Sequence, residues 1–382
     1  MKIAINVLPL STHIAGAQRY TKSIIEGLVE IDTTNDYYLI LSPQNAQHYG
    51  IKQANVHNVI VNVNTNIILW RIAYEQCILP LKLKQLGINV LFSPCNIAPF
   101  WKVCRYVTMI FDMHWFIEQK NLAKYRLIYI KTMICASATR SDVILTISES
   151  SKNDILYFTG VDSQKVVVTF LGATPLFDLR DEIRSHSQIE RIREEKGIYK
   201  DYILFIGQVL PRKNVELLIK AMEQMRNSTT ELYFQYVIAG SWGVTNDAYQ
   251  TVVSLIRESS LEEDVVMVEH PDDRIVADLL AHARLFVYPS RYEGYGLPVA
   301  EALYYGIPTI TSNCSSLPEV GLDACRYIDP ESVDEMVQAI EDLWSNESEC
   351  QKMVEKGYDR IAQLDWNESI QKTHTILLST NS

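Results

Sequence analysis

The spacing of apolar residues alternates between two periods along the first half of the chain. Short, nearly continuous apolar runs predict buried strands, namely KIAINV, YYLILS, VIVNV, NVLFSP, RYVTMIFD and DVILTIS. Between them, stretches such as AQRYTKSIIEGLVEI repeat apolar residues every three to four positions and predict amphipathic helices. Strands that alternate with helices predict a parallel sheet covered by helices on both faces.

The same alternation starts again after about residue 200, with YILFIGQV, YFQYVIAG, VVMVEH, LFVYPS and PTITS as the predicted strands. Around 175–200 the aliphatic residues become few and the charges many, which predicts a linker with one short amphipathic helix. We therefore expect two doubly wound α/β domains, over residues 1–175 and 176–360. A last helix, 361–382, is expected to pack back on the first domain. Ligands bind such folds at the carboxyl ends of the strands, here in an interdomain cleft.

Composition and cysteine usage favour an ordinary globular protein of a reducing compartment. The 382 residues are 47% hydrophobic and 21% charged, and no uninterrupted apolar run is long enough to span a bilayer. The amino terminus shows no signal-peptide pattern. The seven cysteines form no C-x-x-C pair, which argues against a zinc site or a disulfide framework. A cytoplasmic location is expected.

Charge is unevenly distributed along the chain. Residues 1–170 hold 16 Lys and Arg against 11 Asp and Glu, a net charge of +5, and the remainder is −16, which together give −11. Basic residues gather among apolar ones at Lys120, Lys124, Arg126, Lys131 and Arg140. This cluster is either a surface for anionic membranes or a solvated helix face. No nucleic acid partner is expected at a pI of about 5.3.

The stretch YPSRYEGYGLPVAEALYYGIP, residues 288–308, predicts a strand, a tight loop and a helix. Gly294 and Gly296 place bare backbone N–H groups at the start of that helix, which together with the helix dipole can bind a phosphate. Glu293 and Glu301, the latter expected in the first helical turn, can accept hydrogen bonds from sugar hydroxyls. A nucleotide sugar has both kinds of group, although a purely structural turn explains the bare pattern as well.

A second candidate site is FIGQVLPRKNVELLIKA, in which a buried strand ends at Gly207. Arg212 and Lys213 follow it, and Asn214 is predicted to cap the next helix. Two cations near a helix start suit a diphosphate, but a solvated basic turn has the same pattern.

Two loops of the first half contain further candidates. In PLSTHIAGAQRY, Gly16 precedes a helix that includes Arg19, but the G-x-G-x-x-G fingerprint is missing, which disfavours a dinucleotide cofactor and an NAD-dependent oxidoreductase. In IFDMHWF, Asp112 and His114 follow a strand. Either could act as a general base or bind an acceptor hydroxyl, and a histidine beside Trp115 could also be a packed side chain.

Residues 288–330 resemble the retaining nucleotide-sugar glycosyltransferases of family 4, with their Glu-x7-Glu motif. The segments GAQRYTKSIIEGL, VILTISESSKNDILYFTGVDSQKVVVTFLG and YILFIGQVLPRKNVELLIKA are similar to the same family, in its usual order. The resemblance implies the GT-B architecture, which has two Rossmann-like domains, an interdomain cleft and a final helix that crosses back. It also implies no metal cofactor, and the chain has no Asp-x-Asp metal motif.

The resemblance implies a role for each matching residue. Glu293 would contact the donor hexose near its reacting carbon, Glu301 would bind the ribose, and Lys213 with Arg212 would neutralise the diphosphate. The other donor-binding residues implied are Gly16, Gly240, Val268, His270, Gly294, Tyr295, Gly296 and Leu297. The catalytic candidates are Glu293, Asp112 and Lys213, and the acceptor candidates are Arg19 and His114.

Two positions depart from the family pattern. Gln208 stands where an arginine is common, so one cation is missing, and Phe111 stands where a histidine is common, which shifts the expected role to Asp112 or His114. We expect a retaining hexosyltransferase of polysaccharide biosynthesis, with UDP-glucose favoured as donor and GDP-mannose next. Its acceptor would be a glycan or a lipid-diphosphate-linked oligosaccharide at the inner face of the plasma membrane. The alternatives are a sugar-nucleotide epimerase of the same fold and a homologue that only binds nucleotide.

Overall fold

A computed structural model describes residues 1–10, 16–65, 67–117, 124–170, 175–228, 233–242 and 247–379. The chain divides into two compact units. Unit 1 combines Met1–Gly172 with Asp365–Ser382, and unit 2 is Ala173–Leu364.

Unit 1 contains a seven-stranded, all-parallel sheet with the strand order β3-β2-β1-β4-β5-β6-β7. Its strands are β1 (Lys2–Asn6), β2 (Asp36–Leu41), β3 (Val56–Ile60), β4 (Val90–Ser93), β5 (Arg105–Met109), β6 (Val143–Thr146) and β7 (Val166–Val168). Its helices from the first segment are α1 (Gly16–Ile31), α2 (Ala46–Tyr49), α3 (Ile68–Ala73), α4 (Leu79–Leu86), α5 (His114–Ile117), α6 (Lys124–Arg140) and α7 (Glu149–Thr159). A π-helical turn, Tyr74–Ile78, joins α3 to α4, and a 3₁₀ turn, Ser163–Lys165, precedes β7.

Unit 2 repeats the design with six parallel strands in the order β10-β9-β8-β11-β12-β13. Its strands are β8 (Tyr202–Ile206), β9 (Gln235–Gly240), β10 (Val265–Glu269), β11 (Leu285–Tyr288), β12 (Thr309–Ser312) and β13 (Cys325–Ile328). Its helices are α8 (Pro175–Ser185), α9 (Ile189–Lys196), α10 (Glu216–Ser228), α11 (Asp247–Glu258), α12 (Asp273–His282), α13 (Leu297–Tyr305), α14 (Leu317–Gly321), α15 (Val333–Ser345) and α16 (Glu347–Ala362). A 3₁₀ turn spans Pro211–Lys213.

Both sheets have the strand order of a doubly wound Rossmann fold, which confirms the predicted fold class. The central strands are apolar on both faces because helices cover both sides of a parallel sheet. Ile203, Leu204 and Phe205 of β8 are fully buried, as are Leu285 and Phe286 of β11. The strand order reverses between β8 and β11, which are hydrogen-bonded neighbours, so the loops that follow them are brought to the same edge.

The last helix, α17 (Trp366–Leu378), belongs to unit 1 and packs against α1. Gly27 of α1 faces Ile370, and an added Cβ at this glycine would collide with that side chain. His374 Nε2 lies 2.9 Å from Asp32 Oδ2, just after the end of α1. The contact between α17 and α1 therefore attaches the carboxyl-terminal segment to unit 1, whose other elements all come before unit 2 in the sequence.

Several local predictions were wrong. The expected linker near 175–200 is two helices, α8 and α9, and Arg180 of α8 donates to the carbonyl of Tyr304 over 2.9 Å. Strand β3 ends at Ile60 rather than Val63, and the short edge strands β7 and β13 were not predicted.

All seven cysteines are free thiols, and Cys77 is exposed.

Among the helices that the structure describes, none is both long and apolar enough to cross a bilayer.

Candidate active site

Two loops at the carboxyl ends of β8 and β11 form a charged cluster in unit 2. After β8 the chain passes Gly207 and enters the 3₁₀ turn that contains Arg212 and Lys213. After β11 it reaches Glu293. The two loops are tied together by the backbone, because the N–H of Arg291 donates to the carbonyl of Arg212 over 2.7 Å.

Lys213 and Arg212 both contact one carboxylate oxygen. Lys213 Nζ lies 2.5 Å from Glu293 Oε1, and Arg212 Nη1 lies 3.1 Å from the same atom. Lys213 Nζ also donates to the hydroxyl of Tyr288, and Arg212 Nη1 donates to the carbonyl of Tyr292. Lys213 is 8% exposed and Glu293 7%, so these charges lie largely out of water and their mutual attraction is strong.

The environment keeps the Glu293 carboxylate ionised. Burial raises the pKa of Glu293, but the charges of Lys213 and Arg212 outweigh that effect and bring the pKa below its ordinary value. Burial, followed by the negative charge of Glu293, raises the pKa of the Tyr288 phenol. The cluster is therefore two cations and one anion, held against a protonated tyrosine.

Two serines hold the backbone of Glu293 in place. Ser315 Oγ accepts from the N–H of Glu293 over 3.0 Å and donates to its carbonyl over 2.5 Å. Ser316 Oγ lies 3.0 Å from the same carbonyl and 2.7 Å from that of Tyr295. The loop between β11 and α13 is thus fixed by side chains from the loop after β12, although the motif itself does not include them.

The glycine loop leads into α13 as the sequence predicts, with one correction. Gly296 is the N-cap residue at φ 109°, a left-handed conformation that favours glycine, and Pro298 lies in the first turn. Gly306 ends the helix in the left-handed region. The first turn has no acidic residue, because α13 begins at Leu297 and the buried Glu301 is its fifth residue, in the second turn. The predicted first-turn position of Glu301 is wrong.

Asn214 does not cap α10 as predicted. It lies in the left-handed region at φ 55°, and its side-chain amide donates to the carbonyls of Pro289 and Pro330, at 3.1 and 2.7 Å. The amide has two N–H groups, so it donates to both carbonyls and ties the lysine-bearing turn to two other loops instead of to its own helix. Asn214 therefore fixes the position of Lys213 in the cluster.

The loops with the predicted donor-binding residues Gly240, Val268 and His270 meet at the ends of β8, β9 and β10. An added Cβ at Gly240 would collide with the backbone of Gly207, so the two strand ends approach closely. The N–H of His270 donates to the carbonyl of Gly240 over 2.7 Å, with His270 at φ 48°. Gln208 Nε2 lies 3.4 Å from Ser241 Oγ, so it points towards the loop after β9. Val268 is buried, which leaves its backbone as the part that a ligand could meet.

In unit 1, Asp112 and His114 form a pair beyond the end of β5. Asp112 Oδ1 accepts from the N–H of His114 over 3.0 Å and also contacts its ring Nδ1. Both side chains are half-buried. Phe111 is buried and packs its ring edge to face against Tyr20, so it performs a packing role where the family often has histidine.

The remaining predicted residues have less structural information. Gly16 is the first residue of α1, and the loop 11–15 before it and the side chain of Arg19 lie outside the described residues, as does Lys120 of the basic cluster. Within the described ranges, no three His, Cys, Asp or Glu side chains are grouped as metal ligands would be.

Residues 188–360, which cover most of unit 2 and this cluster, match the family described as "Glycosyl transferases group 1". Over this segment the chain is a glycosyltransferase of this family. The glycosyltransferase also resembles curated proteins. It is 28% identical over 269 residues to the O-antigen chain mannosyltransferase B of Escherichia coli. The matched segment is 70% of this chain and 69% of that protein.

Two further relatives share less of their length with the enzyme. The serotype-specific mannosyltransferase WbdA of Escherichia coli is 25% identical over 279 residues, which is 72% of this chain but only 33% of WbdA. The O-antigen chain mannosyltransferase RfbU of Salmonella typhimurium is 24% identical over 216 residues, 56% of this chain and 55% of RfbU.

Solved structures agree on the fold over the whole chain. A glycosyltransferase from Rickettsia africae has a TM-score of 0.74 at 14% identity and covers 100% of this chain and 99% of its own. WaaG, a glycosyltransferase of lipopolysaccharide biosynthesis, has a TM-score of 0.72 at 15% identity and covers 99% of this chain and 100% of its own. The enzyme has the GT-B fold.

Sequence reasoning missed three residues of the cluster. Tyr288, Ser315 and Ser316 all contact Lys213 or Glu293 directly. Tyr288 looked like a core residue at the end of a strand, and the serines lie in the loop NCSSLPE more than 20 residues after Glu293. Only the pairing of β11 with β12 brings them to the cluster.

Proposed function

We propose that this enzyme transfers mannose from GDP-mannose, with retention of configuration, to a glycan or lipid-diphosphate-linked oligosaccharide in the synthesis of an O-antigen-like polysaccharide. The observation that carries the proposal is the shared contact of Lys213 and Arg212 with one oxygen of Glu293. Two cations, of which Lys213 is buried, and one buried carboxylate lie beside the start of a helix and offer a diphosphate and a sugar what each requires.

The cations and the helix start serve the leaving group. As the bond from the sugar to the diphosphate breaks, negative charge grows on the phosphate oxygens, and fixed charges in a dry site stabilise that charge without reorganising. Lys213 and Arg212 are already fixed by Tyr288, Tyr292 and Glu293. The N-terminus of α13, which begins at Leu297 after the N-cap Gly296 and has no side-chain cap, adds the positive end of a helix dipole.

Glu293 serves the sugar. Its carboxylate stays ionised, and it has further acceptor capacity beyond the two cations, so it can accept from a hexose hydroxyl. An anion close to the reacting carbon also stabilises the positive charge of an oxocarbenium-like transition state. Because the carboxylate is held by two cations, we assign it to binding and electrostatic stabilisation and propose no covalent intermediate on it. The acceptor would attack from the leaving-group side, and its proton would pass towards the departing phosphate.

Mannose replaces the glucose favoured by the sequence analysis. The curated relatives described above are named mannosyltransferases, and mannose is donated in nucleotide form by GDP-mannose, the second donor considered. The expected preference for UDP-glucose finds no support among them. We further propose that Glu301 binds the ribose, that the loops at Gly240 and His270 flank the guanine, and that Asp112 or His114 binds the acceptor hydroxyl.

We propose that the reaction takes place at the cytoplasmic face of a membrane, where the acceptor lipid would be anchored. The support is the net positive charge of residues 1–170, since positive charge favours contact with anionic lipids.

A thermal-shift panel tests the donor. Purified enzyme is melted with GDP-mannose, UDP-glucose, UDP, GDP and ADP-glucose at equal concentrations, since a ligand that binds the native state raises the melting temperature by mass action. GDP-mannose and GDP should give the largest shifts. A larger shift with UDP-glucose and UDP would refute the mannose donor. In a separate incubation without acceptor, release of an epimeric sugar nucleotide would favour an epimerase instead.

A further inference from the structure

The helical segment from α3 to α4 buries Tyr74, Leu79 and Leu83 in the core and leaves a second apolar side exposed. A surface helix normally buries its apolar side and exposes its polar one. Here the buried side includes Glu75, which accepts from Asn6 Nδ2 over 2.8 Å and pairs with Arg71 at 3.5 Å. The outward side is largely apolar, and its exposed apolar residues are Ile68, Leu69, Trp70, Ala73, Cys77, Ile78 and Leu81. Leu69 is 80% exposed.

A neighbouring loop extends this surface with two aromatic rings. Phe100 and Trp101 are each 55% exposed. The N–H of Phe100 donates to Gln76 Oε1 over 2.8 Å, which places the loop against the π-helical turn. We call Leu69, Trp70, Ile78, Leu81, Phe100 and Trp101 the apolar face. A contiguous exposed apolar surface with aromatic residues marks an interaction site rather than ordinary surface.

Positive charge surrounds the apolar face. Lys82 and Lys84 follow Leu81 on α4, and the guanidinium of Arg140 lies 4.5 Å from the centre of the Phe100 ring. Between residues 67 and 86 the one acidic residue is Glu75, which is buried and paired. Arg140 also ends α6, whose Lys124, Arg126 and Lys131 belong to the basic cluster. Apolar residues with a basic border are complementary to a bilayer that has anionic headgroups.

We propose that the apolar face inserts into the headgroup region of an anionic phospholipid bilayer and anchors unit 1 to the membrane surface. The inference rests on the proposed function, which needs a membrane-bound acceptor, and it assigns the contact to α3, α4 and the loop at Phe100. Trp70 and Trp101 supply the amphipathic rings that favour the interface between hydrocarbon and water. The lysines and Arg140 bind the phosphate groups.

Vesicle flotation with the full chain tests this surface. The vesicles are phosphatidylcholine alone and phosphatidylcholine with phosphatidylglycerol. The wild type should bind the anionic vesicles and release them at high salt, because screening weakens surface electrostatics. Two variants should bind anionic vesicles at least about tenfold more weakly than the wild type. They are Leu69→Ser, which removes a side chain that packs little, and the triple variant Trp70→Ser/Phe100→Ser/Trp101→Ser.

The control variant is Tyr199→Ser, which removes an aromatic side chain of similar exposure (65%) from unit 2. It should bind vesicles like the wild type. Lys82→Gln/Lys84→Gln should weaken binding to the anionic vesicles only. Melting curves identify any variant that fails to fold, and Leu69→Ser then decides the outcome.

The other results overturn the inference. Absence of wild-type binding to anionic vesicles, or equal binding by Leu69→Ser, removes the membrane role. Equal binding to both vesicle types removes the anionic preference. A wild-type dimer that Leu69→Ser converts to monomer, without vesicle binding, assigns the face to a second copy of the chain. Because no assay here uses a donor, vesicle binding can stand even if the mannose donor is refuted.

Discussion

At the scale of single residues, the cluster depends on how two buried charges and the half-buried Arg212 compensate one another. Glu293 alone would be driven towards protonation by burial, and Lys213 alone would be a costly buried cation. Their contact at 2.5 Å, with Arg212 at 3.1 Å, makes each charge tolerable. Substitution of Glu293 or of Lys213 should therefore affect nucleotide binding, turnover and folding stability to different extents.

Glu293→Gln should lower turnover by about 100-fold, because it removes the negative charge next to the reacting carbon. GDP should bind at least as tightly, since Lys213 and Arg212 lose the carboxylate that competes with phosphate for them. Steady-state kinetics and GDP titration check this. Glu331→Gln is the control, because Glu331 pairs with Arg291 at the exposed surface. Parallel losses of turnover and GDP affinity would contradict the division of roles.

Lys213→Met should destabilise the fold by about 3 kcal/mol at neutral pH, because it leaves a buried carboxylate with one cation. The folded-state pKa of Glu293 lies below its ordinary 4.5, so its pairing stabilises the fold above about pH 4.5 and this contribution is lost as the pH falls through the lowered value. The difference between variant and wild type should shrink in acid.

Denaturant unfolding at neutral pH and well below pH 4.5 measures that difference. Lys356→Met is the control, because Lys356 pairs with Asp323 at the exposed surface and should cost at most about 1 kcal/mol at either pH. A cost of Lys213→Met that grows in acid would show that Glu293 is not stabilised by the lysine.

At the scale of elements, the active-site loop is fixed by the turn that begins α13. Gly296 has a left-handed backbone, and an added Cβ would lie 2.7 Å from Leu317 Cδ2. The loop also depends on Ser315 and Ser316, which precede α14. The glycine therefore permits both a backbone conformation and a close contact between two loops.

Gly296→Ala should destabilise the protein by about 1–3 kcal/mol and weaken GDP binding, because strain at the turn displaces the start of α13. Gly160→Ala provides the matched control. Gly160 has a similar left-handed backbone after α7, and an added Cβ there meets nothing within 4 Å. It should cost about 1 kcal/mol and leave GDP affinity unchanged. Equal effects of the two changes on GDP binding would show that the conformation of Gly296 does not determine the geometry of the donor site.

At the scale of the whole molecule, the two units divide the work. Lys213, Arg212 and Glu293, which are proposed to bind the donor's diphosphate and hexose, belong to unit 2, whereas the apolar face and the Asp112–His114 pair belong to unit 1. Unit 1 is completed by α17, from the far end of the chain, through Ile370 and His374. Unit 1 should therefore be sensitive to changes in α17 that leave nucleotide binding intact.

Ile370→Ala should cost about 2–4 kcal/mol, since it empties a buried position against α1. GDP affinity should not change, because the affected packing lies in unit 1. Chemical denaturation and GDP titration measure the two quantities. Gln371→Ala, at the exposed neighbouring position, is the control and should be near neutral. A matching loss of GDP affinity in Ile370→Ala would mean that α17 supports the donor site as well.

The sequence by itself determined the two parallel sheets and most of their strands, because a strand covered on both faces must be apolar along its length. It also determined the glycine turn before α13, since φ 109° at Gly296 excludes most other residues. The edge strands β7 and β13 escaped detection, because they are only three and four residues long and β13 includes Arg326.

Only the tertiary structure decided which side chains share the cluster. Arg212 and Lys213 are about 80 residues from Glu293, and they meet because β8 and β11 are neighbours in the sheet. Ser315, Ser316 and Asn214 act through contacts between loops, which no local pattern encodes. The exposed apolar side of α3 and α4 was equally hidden, because the many apolar residues between positions 67 and 86 do not show which of them face the core.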